Sequence, residues 1–318
     1  MKTAVFLMNL GGPRSLSEVE PYLYELFLDV LPKGLGPLRK PLAWLIANRR
    51  APSSAAKYQL IGGRSPLVER TEEQARALAT ALGPGFTTHL TMRCGHPSTA
   101  EGVREALAAG AERGVALPLY PQWANATTKS SLEELRRAWP KGRPLVEICT
   151  WHDHPGWLEA SAATVKDAIG ELPPAALDRL LVVFSAHGLP LAEIRKGDPY
   201  QQYVEASARG TAERCGLAPS QWQVTFQSRV GPMKWLGPDT VEYLTANARG
   251  RAIVTVPIAF VSEHLETLYD LDILAKEAAA KGGAAAYARA RAVGARPDFI
   301  AALADIVRAG IAAQQKAA

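Results

Sequence analysis

The 318-residue chain predicts an α/β protein of two similar Rossmann-like domains, each a four-stranded parallel sheet flanked by helices. Three observations carry that expectation. Short apolar runs alternate with helix-period segments along the chain, which is the order of βα units. The runs are continuous rather than alternating, as strands buried on both faces require. They also divide evenly: residues 3–8, 86–92, 115–119 and 145–150 in the first half, and 179–184, 222–226, 252–257 and about 287–292 in the second.

The N-terminal run, Met1 to Leu10, carries one lysine and is interrupted by Asn9, so it reads as a first strand and not as the apolar region of a secretion signal. The Pro/Gly-rich stretch Leu31 to Pro41 then breaks a helical region. Ser98-Thr99-Ala100-Glu101 and Ser130-Ser131-Leu132-Glu133 both have the Ser-x-x-Glu spacing of a capping box. After the first, Val103, Ala106, Leu107 and Ala111 share one helical face. Pro173-Pro174 precedes the second half, so the main boundary falls between about residues 148 and 175. The expected division is residues 1–148, 149–295 and a C-terminal helix over 296–318. In that helix Phe299, Ile300, Leu303, Ile306 and Val307 form an apolar stripe that packs back on one domain or bridges both.

Composition excludes several classes. Apolar residues make up 47% of the chain, enough for a packed core, so disorder is not expected. The net charge of +5 comes from interleaved charges of both signs with no basic block carrying aromatics, so nucleic acid is not an expected partner. Cys94, Cys149 and Cys215 lack CxxC or Cys/His spacing, which argues against a disulfide framework or metal cluster and fits a reducing compartment. No run reaches the roughly 18 apolar residues a spanning helix needs. The chain is therefore expected to be soluble and cytoplasmic, or peripheral to the inner face of a membrane.

Candidate chemistry concentrates in the second half. The strand over 179–184 runs directly into Ser185-Ala186-His187-Gly188, which sets an imidazole at the carboxyl end of a buried strand, where open α/β sheets bind ligands. The run ending at Pro257 leads into Ser262-Glu263-His264-Leu265-Glu266-Thr267-Leu268-Tyr269-Asp270. On one helix Glu263, Glu266 and Asp270 would share a face as a ladder of carboxylates. Taken singly, neither feature decides: a histidine at a strand end is more often a hydrogen-bonded structural residue, and acids in a first helical turn answer the macrodipole alone. His264 could equally be the acting imidazole, although its neighbour Glu263 favours a supporting or capping role.

Four long motifs stand in order: Phe184-Ser-Ala-His-Gly-Leu-Pro190, Gly197-Asp-Pro-Tyr200, Phe226-Gln-Ser-Arg-Val-Gly-Pro-Met-Lys-Trp-Leu-Gly-Pro238 and Pro257-Ile-Ala-Phe-Val-Ser-Glu-His-Leu-Glu-Thr-Leu-Tyr269. They closely resemble the consecutive motifs of ferrochelatases. The resemblance continues through Asn9-Leu-Gly-Gly-Pro13, Arg49-Arg50, Tyr58, Ile61-Gly-Gly-Arg-Ser-Pro66, Met92-Arg93, His96-Pro97, Leu119-Tyr-Pro-Gln-Trp123 and His152-Asp-His-Pro155, nearly the whole chain. It implies insertion of Fe²⁺ into a porphyrin held in the cleft between the domains, with iron as substrate and no prosthetic group. His187 and Glu266 would face each other across the ring as the catalytic and metal-facing residues.

That chemistry suits those residue types. Metallation must strip two protons from the ring nitrogens, and a neutral imidazole is the natural acceptor near pH 7. Fe²⁺ must be held loosely enough to be handed on, which suits carboxylate oxygens better than a closed thiolate or imidazole cage. Asp270 would stand behind Glu266 on a proton or metal path. Where many relatives continue the acidic ladder this chain has Leu274, so the path must end early, use Asp272 or run through water. By the same resemblance Leu10, Tyr58, Ile61, Tyr120, Ser228, Trp235 and Phe260 fall at porphyrin-binding positions, and Ser65, Arg50 and Arg93 could meet propionates. For any one of the apolar and aromatic residues, ordinary core packing is an equal reading.

Animal-type ferrochelatases hold a [2Fe–2S] cluster with four cysteines. This chain has Asn125 at the internal position and ends at Ala318 without the extension carrying the others, so no cluster is expected. Leu10, where coproporphyrin-type enzymes tend to have tyrosine, points to protoporphyrin IX as substrate, with coproporphyrin III as the alternative. A non-catalytic tetrapyrrole carrier would need the apolar walls but no base opposite a carboxylate. A cobalt or nickel chelatase would share the fold but not the long motifs. Residues 22–50 mix Leu31, Leu35, Leu38, Leu42, Trp44, Leu45 and Ile46 with Lys33, Arg39, Lys40, Arg49 and Arg50, a basic amphipathic lip that could rest on anionic lipid or simply pack on its own domain.

Overall fold

The computed structural model describes residues 1–229 and 233–317, with the side chains of Lys33 and Ala317 also outside the described residues. Val230-Gly231-Pro232 of the third long motif therefore lies outside them too. Eight strands form two sheets: β1 (Thr3–Asn9), β2 (Phe86–Met92), β3 (Arg113–Pro118) and β4 (Leu145–Glu147), then β5 (Leu180–His187), β6 (Trp222–Gln227), β7 (Ala252–Pro257) and β8 (Ala286–Arg289). Both sheets are parallel and share one topology, β2-β1-β3-β4 and β6-β5-β7-β8. The expected α/β class and both four-stranded sheets are present.

Two-sided burial explains the continuous apolar runs. Along β1, Val5 and Leu7 enter one cluster while Ala4, Phe6 and Met8 enter another; along β5, Val182, Phe184 and Ala186 divide from Leu181 and Val183 in the same way. One cluster spans both halves, joining Val5 and Leu7 to Val182 and Phe184 through Trp157, Phe299 and Leu303. The C-terminal helix Pro297–Ala317 returns to the first half: Gln314 reaches the Leu145 carbonyl at 2.9 Å and Arg308 that of Ala81 at 2.9 Å. Two buried glutamines of the first half also bond to the second. Gln74 donates to the Val261 and Gly294 carbonyls at 3.1 and 3.0 Å, and Gln122 donates to the Ile258 carbonyl at 3.1 Å and to Ser207 at 2.9 Å.

Side-chain caps set the starts of two helices, Asp239 accepting the Val241 and Glu242 N–H groups before Thr240–Asn247. Ser98 caps Thr99–Ala108 with the expected box, receiving the Glu101 N–H while its own N–H reaches the Glu101 carboxylate. The second box does not form. Ser130 begins a helix, Ser130–Ala138, that continues from a π-helical turn at Asn125–Lys129, and its hydroxyl donates back to the Ala126 and Thr127 carbonyls instead of capping. The Pro/Gly break separates the helix Val19–Val30 from Arg39–Leu60, which together form the lip. Gly11 must be glycine: at φ +91° an added Cβ would lie 1.9 Å from the Cys94 carbonyl oxygen.

Candidate active site

β5 runs three residues beyond its apolar core, so His187 lies on the ladder opposite Gln227 of β6. β5 sits between β6 and β7, and the loop after β7 leads into the short helix Leu265–Leu268. Three strand ends thus deliver His187, Gln227-Ser228 and Glu266 to one edge of the sheet. A buried hydroxyl network locks them: Ser185 donates to Gln227 Oε1 at 2.6 Å, Thr240 bridges Ser185 and Thr225 at 2.9 and 2.8 Å, and Gln227 Nε2 donates to the Glu266 carbonyl at 2.8 Å. Tyr200 fixes the far side of His187, its hydroxyl donating to the His187 carbonyl at 3.0 Å, and Trp235 meets the imidazole edge-on with centroids 6.4 Å apart.

His187 and Glu266 touch. Nδ1 lies 3.0 Å from Oε1, although off the line of a good hydrogen bond, and His264 Nε2 lies 3.4 Å from Oε2. The two residues expected to face each other across a ring are thus side by side, brought together by the end of β5 and by the short helix that follows the loop after β7. Burial opposes the charged form of each partner, but mutual attraction prevails: His187 is raised above its usual value and Glu266 is held well below the carboxylate range. The carboxylate thus raises the proton affinity of the imidazole expected to act as a base.

Asp270 shifts the other way. Burial and then the Glu266 charge raise it, against the Ser228 hydroxyl that donates to it at 2.6 Å and the Lys57 charge. Two carboxylates four residues apart thus have their proton affinities pushed apart. Ser228 holds its contact from φ 65°, the sole positive value among described non-glycine residues. That conformation costs about 1–2 kcal/mol. Beside these acids lies a cavity of about 730 Å³, walled by Arg50, Ser53 and Lys57 of the lip and by Arg229, Glu266, Asp270 and Leu274.

The ladder is shorter than expected. Glu263 precedes the helix and pairs with Arg289 at 2.9 Å, while also accepting the Ala292 N–H at 2.9 Å and the Thr267 hydroxyl at 2.5 Å. Asp272 forms a two-bond pair with the same guanidinium at 2.6 and 2.9 Å, so its carboxylate is engaged away from the cavity and does not extend the path. Arg93 is also corrected: it is clamped between Asp29 and Glu134, which fastens the lip to the helix Ser130–Ala138 and leaves no free fork for a propionate. Ser65 is buried against Gly12, and its hydroxyl receives the Leu67 N–H at 3.3 Å at the start of the helix Leu67–Leu82.

The remaining residues lie around the site or in the lip. Tyr58 and Ile61 pack in the lip cluster with Leu265, immediately before Glu266. Arg50 lies over the Phe27 ring at 5.8 Å and lines the cavity. Phe260 meets His264 with centroids 4.5 Å apart. Leu10 is half-buried, its carbonyl accepting the Cys94 N–H at 2.8 Å, and Tyr120 is half-buried with burial raising its phenol pKa. Three contributors escaped the sequence reading. Gln227 gives no sequence signal beyond its place in a motif. Lys57 shares a helical face with Arg50 and Ser54, a legible pattern. Tyr22 faces the interior, its phenol raised by burial and by the charges of Tyr58, Cys94 and Glu266.

Comparison with known proteins follows this geometry. The family model described as Ferrochelatase matches residues 2–311. A ferrochelatase of Caulobacter vibrioides is 42% identical over 315 residues, covering 96% of this chain and 90% of the relative. One of Geobacter metallireducens is 40% identical over 315 residues, covering 96% and 98%. Among solved structures, SirB from Bacillus subtilis with Fe3+ shares the fold with a TM-score of 0.59 at 15% identity, covering 99% of this chain and 98% of that one. CbiX, described as the terminal enzyme of siroheme biosynthesis in denitrifying bacteria, matches with a TM-score of 0.51 at 14% identity, covering 97% and 99%. The family match spans both sheets and every strand end that builds the site, and the chain belongs to the ferrochelatase family.

Proposed function

We propose that the chain inserts Fe²⁺ into protoporphyrin IX, with His187 receiving ring protons on one face and Glu266 meeting the metal on the other. As a ferrochelatase it is a metal chelatase, a lyase of heme biosynthesis; the choice of porphyrin and the two roles are the inference. The observation that carries it is the contact between His187 and Glu266. A flat ring entering between them separates the pair to about 7 Å, one van der Waals distance on each side. Separation removes the attraction that raises the proton affinity of His187, so ring entry makes the imidazole release any proton it holds to solvent more readily and leaves it free to accept one from the ring. The reaction balances as porphyrin with two N–H protons plus Fe²⁺ giving metalloporphyrin plus two H⁺. Asp270, raised and tied to Ser228, is the next acceptor along the wall, and the path stops at Leu274.

Leu10 supports protoporphyrin IX, whose apolar edge suits a leucine. The test is anaerobic Fe²⁺ insertion into protoporphyrin IX and coproporphyrin III, followed by loss of the free-base spectrum, in the intact protein and in His187→Ala. A higher kcat/KM for coproporphyrin III would overturn the substrate, and undiminished metallation by the variant would overturn the base. Absence of metallation in both proteins would favour a carrier.

The lip adds a membrane contact to this reading. Val30, Leu38, Trp44 and Leu45 are 68%, 65%, 58% and 46% exposed, and Arg39, Lys40, Arg49 and Arg50 lie among them. That is the composition of an interfacial surface, apolar with a cationic fringe. Among the described residues no helix is long and apolar enough to cross a membrane.

A further inference from the structure

The geometry points to Arg289 as a positioning residue that sets where Glu266 and Asp270 stand relative to His187. This deepens the metal-facing role proposed for Glu266 and rests on it. Arg289 ends β8, is 9% exposed and touches neither the cavity nor His187. Its guanidinium donates to both oxygens of Glu263 at 2.9 and 3.1 Å and to both oxygens of Asp272 at 2.6 and 2.9 Å. Glu263 lies three residues before Glu266 and Asp272 two residues after Asp270, so one cation grips the segment outside both working carboxylates.

Two further contacts make the grip directional. Glu263 accepts the Thr267 hydroxyl, which itself receives the His264 N–H at 3.0 Å and fixes the first turn of the helix. Tyr287, two residues before Arg289 and on the same face of β8, donates to the Leu271 carbonyl at 2.6 Å. The edge strand therefore holds a π-helical turn, Asp270–Ala275, whose register a regular helix would not supply. A buried guanidinium between two carboxylates is a poor device for stability alone, since its desolvation offsets much of the attraction. Its bidentate geometry does give a fixed distance and angle.

The experiment compares Arg289→Lys, the charge-neutral triple variant E263Q/D272N/R289M, and Glu266→Gln. Zn²⁺ and anaerobic Fe²⁺ insertion are measured alongside porphyrin binding by absorbance and cooperativity of unfolding. The triple variant removes the buried charges together, which keeps folding separable from positioning. Expected are cooperative unfolding and porphyrin affinity within about two-fold of wild type, with kcat/KM for metal at least about ten-fold lower. Arg289→Lys, which keeps the charge but not the fork, should fall between. A folded triple variant with wild-type kcat/KM for metal, while Glu266→Gln is inactive, overturns the positioning role alone. Equal losses in porphyrin and metal parameters overturn it in favour of general structural support. Full activity in Glu266→Gln removes the Glu266 reading and the positioning role with it.

Discussion

Glu266→Gln should lower the pKa of His187 by about one to two pH units in the protein without substrate. Two unit charges 3.0 Å apart attract by about 5.5 kcal/mol at an effective dielectric near 20, and by about 1.4 kcal/mol in water. His187 is 36% and Glu266 27% exposed, so solvent screening draws the value toward the lower bound. Taking about 1.5–3 kcal/mol and about 1.4 kcal/mol per unit gives the stated drop. Titration of the histidine Cε1–Hε1 resonances by NMR measures it, with His187→Ala identifying the signal among six histidines. His187 titrating within about 0.3 units of wild type would refute the argument, because the carboxylate would then not set the charge of the imidazole. Stability follows the same two directions. His187 is raised above 6.5, so its contribution is complete below 6.5 and lost as pH rises through the elevated value. Glu266 is lowered from 4.5, so its contribution is complete above 4.5 and lost as pH falls through the depressed value. The pair stabilises most between 4.5 and 6.5, and Glu266→Gln should lower stability there and flatten the falls on either side.

Gln74→Leu strands the Val261 and Gly294 carbonyls and removes the acceptor for the Ser262 hydroxyl. Urea unfolding should show a loss of about 2–4 kcal/mol, and a loss below about 1 kcal/mol would mean the bridge contributes little. Arg93→Ala should lower Tm by loosening the lip while leaving KM for porphyrin within about two-fold; a ten-fold rise in KM at unchanged Tm would return Arg93 to the propionates. Replacing Leu38 and Trp44 by glutamate should abolish co-flotation with vesicles containing anionic lipid but leave turnover of detergent-dispersed porphyrin intact. Undiminished flotation would confine the lip to packing.

The sheets were legible because two-sided burial writes itself into the chain as unbroken apolar runs, and each of the eight runs is a strand. Pattern alone placed His187 at the end of a buried strand and Glu266 in an acidic stretch after another; their pairing was legible only through the resemblance of the surrounding motifs. What escaped depends on partners far away in sequence. Arg93 finds Asp29 64 residues earlier and Glu134 41 residues later, and nothing near Arg93 announces either. Asp272 looked like the next rung of a ladder until the fold supplied Arg289, 17 residues on. Ser130 misled for a nearer reason: a capping box requires that the chain enter from outside the helix, and here it arrives already wound from Asn125–Lys129.

These placements decide which part of the molecule must yield when a ring enters. The halves are pinned by Gln74 and Gln122, whose buried bonds reach the loop after β7, so opening by domain separation would strand several backbone carbonyls at once. The segment carrying Glu266 and Asp270 is held from behind by Arg289 and Tyr287 and from the side by Gln227 and Ser228. His187 is fixed by its ladder and by Tyr200. The lip is fastened to the first half by Arg93 and by Glu25, which accepts the Gly95 N–H; its cluster meets the second half through Leu265, and its outer face exposes Val30, Leu38 and Trp44 to solvent. On the function proposed above, a flat substrate would enter beside the lip rather than between separating halves. The lip that lines the cavity with Arg50, Ser53 and Lys57 also carries the exposed apolar side chains, so under that proposal the route of entry and the membrane surface coincide.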